Sequence, residues 1–259
     1  MNKFAKSFYE NSSQYLIISF LILASLNLIA QDSDESEYIE SVTIIGSKED
    51  VKDLAGSGAV ISNEDLQKAM DTDIQKILTA VPGIYMRTEE GYGLRPNISI
   101  RGTAIERSGK VTIMEDGVLV APAPYTASSA YYFPTTGRIH AVEVLKGPAV
   151  VSQGPQTIGG AINLISTPIP KVASGKFIQE IGENGMTRTH TYYGGSQGNL
   201  GALVEIHEHA SDGFDSIANV GGDTGFDKSD LMIKANYTSG NHSLTFKRVD
   251  LDETSNQSY

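Results

Sequence analysis

Beyond Pro170 hydrophobic and polar residues alternate with a period of two. Ala202, Val204, Ile206 and Ala210 fall on one side of an extended chain, and Leu203, Glu205, His207 and His209 on the other. Leu231, Ile233, Ala235 and Tyr237 alternate with Met232, Lys234, Asn236 and Thr238, and Leu244 and Phe246 with Ser243, Thr245 and Lys247. Strands of about 9–11 residues with one apolar face, joined by turns such as Ser239-Gly240-Asn241, are the pattern of a membrane β-barrel. A soluble sandwich has the same period. The alternation breaks at Asp250–Glu253.

The preceding stretch has a different texture. Ser62 with Asp65 three residues on reads as a capping box for a short helix whose apolar face is Leu66, Ala69 and Met70. A second helix runs from about Asp73 to Ala80 on Ile74, Ile77 and Leu78, and Val81-Pro82-Gly83 ends it. Four short β-prone runs follow, at Ile84–Met86, Ile98–Ile100, Val111–Met114 and Val142–Leu145. Glu115-Asp116-Gly117 is a hairpin turn into Val118–Val120, and the prolines of Ala121-Pro122-Ala123-Pro124-Tyr125 make a stiff exposed loop. Helices followed by such strands predict a small α+β domain.

At the N-terminus Lys3 and Lys6 precede an apolar run from Tyr15 to Ala30. This is the layout of a secretory signal peptide, cut after Ala30, with a signal anchor as the alternative. An export signal weights the alternation towards a barrel. The next segment, 31–58, is polar and mobile apart from a β-prone island, Glu40-Ser41-Val42-Thr43-Ile44-Ile45-Gly46. That island can add to the sheet edge of another protein or pair with a later strand of its own domain.

Composition removes several chemistries. There is no Cys, so thiol nucleophiles, disulfides and Cys-ligated metals are excluded. A net charge of −11 with no basic stripe argues against nucleic acid. No Ser-His-Asp or paired-carboxylate arrangement has local support, so an enzyme is not expected. His207 and His209 share a strand face, which a polar barrel lumen explains better than a metal site. Asp212, Asp215, Asp223 and Asp227 among glycines read as a solvated loop rather than a calcium loop. No phosphate loop is present, because no Gly-Lys-Ser/Thr closes the glycine-rich run from Gly147 to Gly160.

Three linked motifs stand in order: Asn97-Ile98-Ser99-Ile100-Arg101-Gly102, then Glu115-Asp116-Gly117, then Val142-Glu143-Val144-Leu145-Lys146-Gly147-Pro148 with Gly154-Pro155-Gln156-Thr157-Ile158-Gly159-Gly160-Ala161-Ile162-Asn163. Together with Val81-Pro82-Gly83, they resemble the plug of TonB-dependent outer-membrane receptors over positions 40–170. Leu94-Arg95-Pro96, Ala123-Pro124-Tyr125 and Pro168-Ile169-Pro170 look like the ferric dicitrate receptor branch.

The resemblance implies a fold: an α+β plug domain followed by antiparallel strands of a 22-stranded transmembrane β-barrel. It divides the chain into a signal peptide at 1–30, a mobile segment at 31–58 with the TonB box at 40–46, the plug at 59–170, and barrel strands at 171–259. The last stretch holds about five strands at roughly 10 residues each plus turns, so a truncated or fragmentary receptor is expected.

It also implies roles and partners. Glu40, Ser41, Val42, Thr43 and Ile44 are the TonB box, gripped by TonB with its ExbB/ExbD energising complex. Arg101, Gly102, Glu143, Gly147, Pro148, Gly154, Gly159 and Gly160 are plug structural motifs, with Arg101 and Glu143 seating the plug through charge pairs with the barrel. Arg101, Arg95, Arg107, Tyr92 and Tyr125 are candidate ligand contacts, with Arg87 and Lys110 as further cations at the mouth. The expected cargo is a ferric siderophore or iron–carboxylate chelate, with cobalamin or an oligosaccharide as the competitor. The outer surface meets outer-membrane lipid, the box faces the periplasm, and no resident cofactor is needed. A freestanding periplasmic binding module is the rival from another class.

Overall fold

The computed structural model describes residues 43–54, 56–69, 73–87, 92–120, 132–154, 157–214 and 224–256. The expectations for the signal peptide, Glu40–Val42, the Ala121–Tyr125 loop, Asp215 and Asp223 lie outside these residues.

The first part of the chain is a five-stranded sheet, β1 (Ser57–Ile61), β4 (Val111–Glu115), β5 (Val118–Leu119), β6 (Ile139–Lys146) and β7 (Gly160–Ser166), in the order β1-β6-β7-β4-β5. A separate hairpin joins β2 (Ile84–Arg87) to β3 (Asn97–Ile100). β4 and β7 are parallel and the other pairings antiparallel.

Two helices lie between β1 and β2: α1 (Asn63–Ala69) and α2 (Ile74–Thr79). Their starts are fixed by side chains. Asp65 accepts from the backbone and hydroxyl of Ser62, and Asp73 caps α2 by accepting from Gln75 N at 2.8 Å. Ile74 and Leu78 are fully buried and carry α2 onto Ile98, Ile100, Val142, Val144, Ile162 and Leu164. Truncating either to Ala would cost about 2–5 kcal/mol.

The opposite sheet face is covered by the chain before β1, a coil and a 3-10 turn (Asp50–Asp53). Ile45 packs there with Met114, Leu145, Val150 and Ala161. This corrects the expectation of a β-prone island followed by an unpaired polar stretch. Among the described residues Thr43–Gly46 form no strand, and Ser57 already begins β1, paired to β6.

Asp116 and Gly117 both have positive φ, 50° and 76°, and close the β4–β5 hairpin as a two-residue turn. Gly160 is required at a tighter point. At φ +155° its added Cβ would lie 2.5 Å from the Leu145 carbonyl oxygen, so no larger residue can open β7.

The second part is an antiparallel meander of five strands: β8 (Ser174–Ile181), β9 (Thr187–Gln197), β10 (Leu200–Ser211), β11 (Phe226–Ser239) and β12 (His242–Ser255). Leu203, Glu205, His207, Met232, Lys234 and Asn236 are buried against the first part. Phe177, Leu200, Ile233, Tyr237, Leu244 and Phe246 are exposed on the other face. Asp250–Glu253 do not end the pattern. β12 continues through them to Ser255, paired to β11. Asp227 likewise sits in β11, not in a loop. No helix among the described residues is long and apolar enough to cross a membrane.

Candidate functional site

The two parts meet along a seam of buried charge. Arg138, in a 3-10 turn (Thr136–Arg138) before β6, is 1% exposed. Its Nε donates to Asp230 Oδ2 on β11 at 2.9 Å, and its Nη2 donates to Glu115 Oε2 at 3.1 Å. Thr135 Oγ1 also donates to Asp230 Oδ2, at 2.5 Å.

One turn of the hairpin away, Lys247 Nζ on β12 reaches Glu115 Oε1 at 2.5 Å, Asp116 Oδ2 at 2.6 Å and Ser166 Oγ at 3.1 Å. Lys234 Nζ donates to the carbonyls of Thr167 at 2.9 Å and Ser166 at 3.3 Å, and pairs with Asp116 at 3.5 Å. Thr167 Oγ1 and His190 Nε2 both meet Glu205 Oε1, at 2.9 and 2.6 Å.

Arg138, Lys234 and Lys247 balance Glu115, Asp116 and Asp230, and Glu205 adds a further buried carboxylate beside His190. Such a network gives modest net stability but penalises any other seating, because each displaced member leaves a buried charge alone. Burial pushes the Glu115 carboxyl up, yet the Arg138 guanidinium and the Lys247 ammonium outweigh it and the net effect lowers its pKa. Asp116 is likewise lowered, its burial outweighed by Lys234 and Lys247. Burial would lower the Arg138 pKa, but Glu115 and Asp230 raise it, so the guanidinium stays charged. Tyr132, whose hydroxyl meets Arg138 Nη2 at 3.1 Å, is pushed up to about 12 chiefly by burial.

Arg101 and Glu143 lie away from the meander. Arg101, at φ 54° after β3, donates from Nη2 to Ser57 Oγ at 2.8 Å and is exposed. It touches β1, not the meander. Glu143 is 1% exposed on β6, and its oxygens accept from the backbone of Ile44, Ile45 and Gly46 and from Asn163 Nδ2. Among the described residues neither bonds to β8–β12. Arg138 was missed because nothing near it in sequence declares a partner. The one available signal is a lone Arg within the Phe133–Val142 stretch, whose other residues are uncharged apart from His140.

Among the candidate ligand contacts, Tyr92 and Arg95 come together at one end of the meander. Tyr92 Oη lies 3.0 Å from Ser211 Oγ, and its ring packs on Phe214 and Phe226. Arg95 faces Ser255 at 3.5 Å and Glu253 at 3.7 Å, with Lys228 on the same Glu253 at 3.2 Å. Arg107 is held elsewhere, its backbone N–H donating to Asn97 Oδ1 at 2.7 Å. Arg87 is 4.0 Å from Glu106. Tyr125 lies outside the described residues. Gly147, Gly154, Gly159 and Gly160 line the turns flanking the 3-10 segment (Pro148–Gln153) and the start of β7.

Beside Tyr92 a recess lined by Phe133, Thr135, Gly137, His207, His209 and Lys228 has room for about one water molecule. His207 is 2% exposed, and neither ring nitrogen has a hydrogen-bond partner among the described residues. No group of three or more His, Asp or Glu among the described residues is placed to hold a metal ion.

A family model described as the TonB-dependent Receptor Plug Domain matches residues 50–161. The chain is 24% identical over 216 residues to the vitamin B12 transporter BtuB of Photobacterium profundum, covering 81% of this chain and 34% of that protein. It is 29% identical over 164 residues to an iron-regulated outer membrane virulence protein of Vibrio cholerae, covering 61% of this chain and 24% of that one. Its fold is similar to that of the unliganded ferric citrate transporter FecA, with a TM-score of 0.68 and 22% identity over 85% of this chain and 34% of the other. The chain thus spans between about a quarter and about a third of these relatives. A mixed-sheet domain seated on the polar face of an antiparallel meander is the N-terminal architecture of those receptors, and the chain carries the plug domain of the TonB-dependent receptor family.

Proposed function

We propose that this chain is the plug and first barrel wall of an outer-membrane receptor that imports a ferric siderophore or iron–carboxylate chelate, energised through TonB at Glu40–Ile44. The observation that carries the reading is the division of the meander into two faces. One face is polar and ion-paired to the plug, and the other exposes Phe177, Leu200, Ile233, Tyr237, Leu244 and Phe246, with charge at Arg248, Asp250, Asp252 and Glu208. A wall of that kind suits a lipid exterior and a plugged polar lumen. In this reading Tyr92 and Arg95, beside the long connection between β10 and β11, belong to the mouth that meets cargo. Arg101 is turned to Ser57 of β1, and Arg107 is tied by its backbone to Asn97. An acidic chelate is favoured by guanidinium groups, which bind carboxylates in a fork. The recess at His207 is too small for it, so contact would be with the open plug surface.

The similarity to a vitamin B12 transporter keeps cobalamin as the second reading. Both are tested in a strain deleted for the full-length receptor, grown on ferric dicitrate, on ferric hydroxamate or catecholate siderophores, or with cobalamin as the limiting nutrient. Loss of growth on one iron chelate, restored by the wild-type gene, supports iron import. Loss confined to cobalamin-limited medium replaces it with the second reading.

A further inference from the structure

We infer that Glu143 is the positioning residue that clips the end of the TonB box, Ile44–Gly46, to the plug sheet, and that its grip sets how far the box is presented before cargo binds. This rests on the reading of Glu40–Ile44 as the box. The clip itself is geometric. Glu143 Oε2 accepts from Ile44 N, and Oε1 accepts from Ile45 N and Gly46 N, each at 2.8 Å. Three successive amides converge on one carboxylate, a backbone nest for an anion, and Gly46 at φ +94° allows the curl.

The carboxylate is held from behind. Asn163 Nδ2 on β7 donates to Oε2 at 2.8 Å, and Asn163 Oδ1 accepts from Gly117 N at 2.9 Å. Gly117 adjoins Asp116, which Lys247 of β12 binds. A pull on residues before Thr43 therefore reaches the middle strands β6 and β7, and behind them the seam, rather than a loose tail. Two further ties act nearby. Ile45 is 8% exposed among Met114, Leu145, Val150 and Ala161, and Lys48 pairs with Asp65 at 2.6 Å.

The test uses the full-length receptor. In Glu143→Gln one acceptor becomes a donor facing amide donors, so hydrogen exchange at Ile44–Gly46 is expected to rise at least about tenfold, while Val142, Val144 and Ile162 keep their wild-type rates. Glu143→Asp keeps the charge, draws it back by one methylene, and is expected to recover part of the protection. Cross-linking of Ser41→Cys to the purified periplasmic domain of TonB, without cargo, is expected to increase in the Gln variant and fall back in the Asp variant. Unchanged exchange at 44–46, or equal loosening of β6 and β7, overturns the clip. Raised exchange with unaltered cross-linking overturns its control of the box. Loss of cross-linking in every background, wild type with cargo included, instead counts against the box assignment.

Discussion

Arg138 in the turn before β6 and Asp230 on β11 lie 2.9 Å apart, each almost fully buried, and join segments 92 residues apart in sequence. Glu115 completes the Arg138 fork from the plug side. Arg138→Met would strand the buried Asp230 carboxylate and leave Glu115 with Lys247 alone, and is expected to destabilise plug seating by about 3–5 kcal/mol. Limited proteolysis of the full-length receptor reads this as faster cleavage within 59–170. Protection equal to wild type would remove the seam from the account of seating.

The same seam has a defined acid limit. Glu115 and Asp116 have pKa values lowered in the folded chain. Their contribution is therefore present above the ordinary carboxylate range and lost as pH falls through the lowered values. Plug protection is expected to be flat from neutral pH down to about 5 and to fail only below about 4. A loss centred between 6 and 7 would point to groups other than these carboxylates.

Gly160→Ala places a Cβ against the Leu145 carbonyl and the Ile100 side chain, at 2.5 and 2.9 Å, in a backbone conformation that L residues avoid. The strain is about 1–3 kcal/mol before any shift of β6. Denaturant unfolding should show a lowered midpoint, and an unchanged midpoint would mean that β6 yields freely there.

Two positions on one exposed face of β11 should respond differently. Ile233 is exposed on the apolar face of β11, whereas Ser229, on the same face four residues towards Phe226, lies beside Asp252 and Glu208. Ile233→Lys is expected to reduce the folded receptor in outer-membrane fractions, at about 2–4 kcal/mol if the site is near the bilayer midplane. Ser229→Lys should be tolerated. Equal yields of the two would argue against lipid at Ile233.

Val42→Pro removes an amide donor and fixes φ, which strand addition to a partner does not accept. Energised uptake by the full-length receptor should be abolished while cargo binding is retained. Normal uptake would discard Glu40–Ile44 as the gripped segment.

What could be read from the sequence was local. The Ser62–Asp65 box, the helix begun at about Asp73, the Asp116-Gly117 turn and the alternation of β10 and β11 each depend on neighbours within a few residues. β7 escaped because every residue from Gly160 to Ser166 is buried, so no period of two exists to find. β1 escaped because Ser57 and Gly58 carry no β signal, and its strand exists through pairing with β6. The candidate site divided the same way. Arg95 was marked by a motif and Tyr92 as a candidate contact, and the two share a neighbourhood. Glu143 was marked but given the wrong partner, because its acceptor role is set by amides nearly a hundred residues earlier. Arg138 and Asp230 were not marked, since their meaning appears only when the two parts are laid together.

Lys234 holds the carbonyls of Ser166 and Thr167, the last links before the chain crosses into the meander. With Lys247 it fastens that corner on two sides, so the flank along β10–β12 behaves like a hinge post.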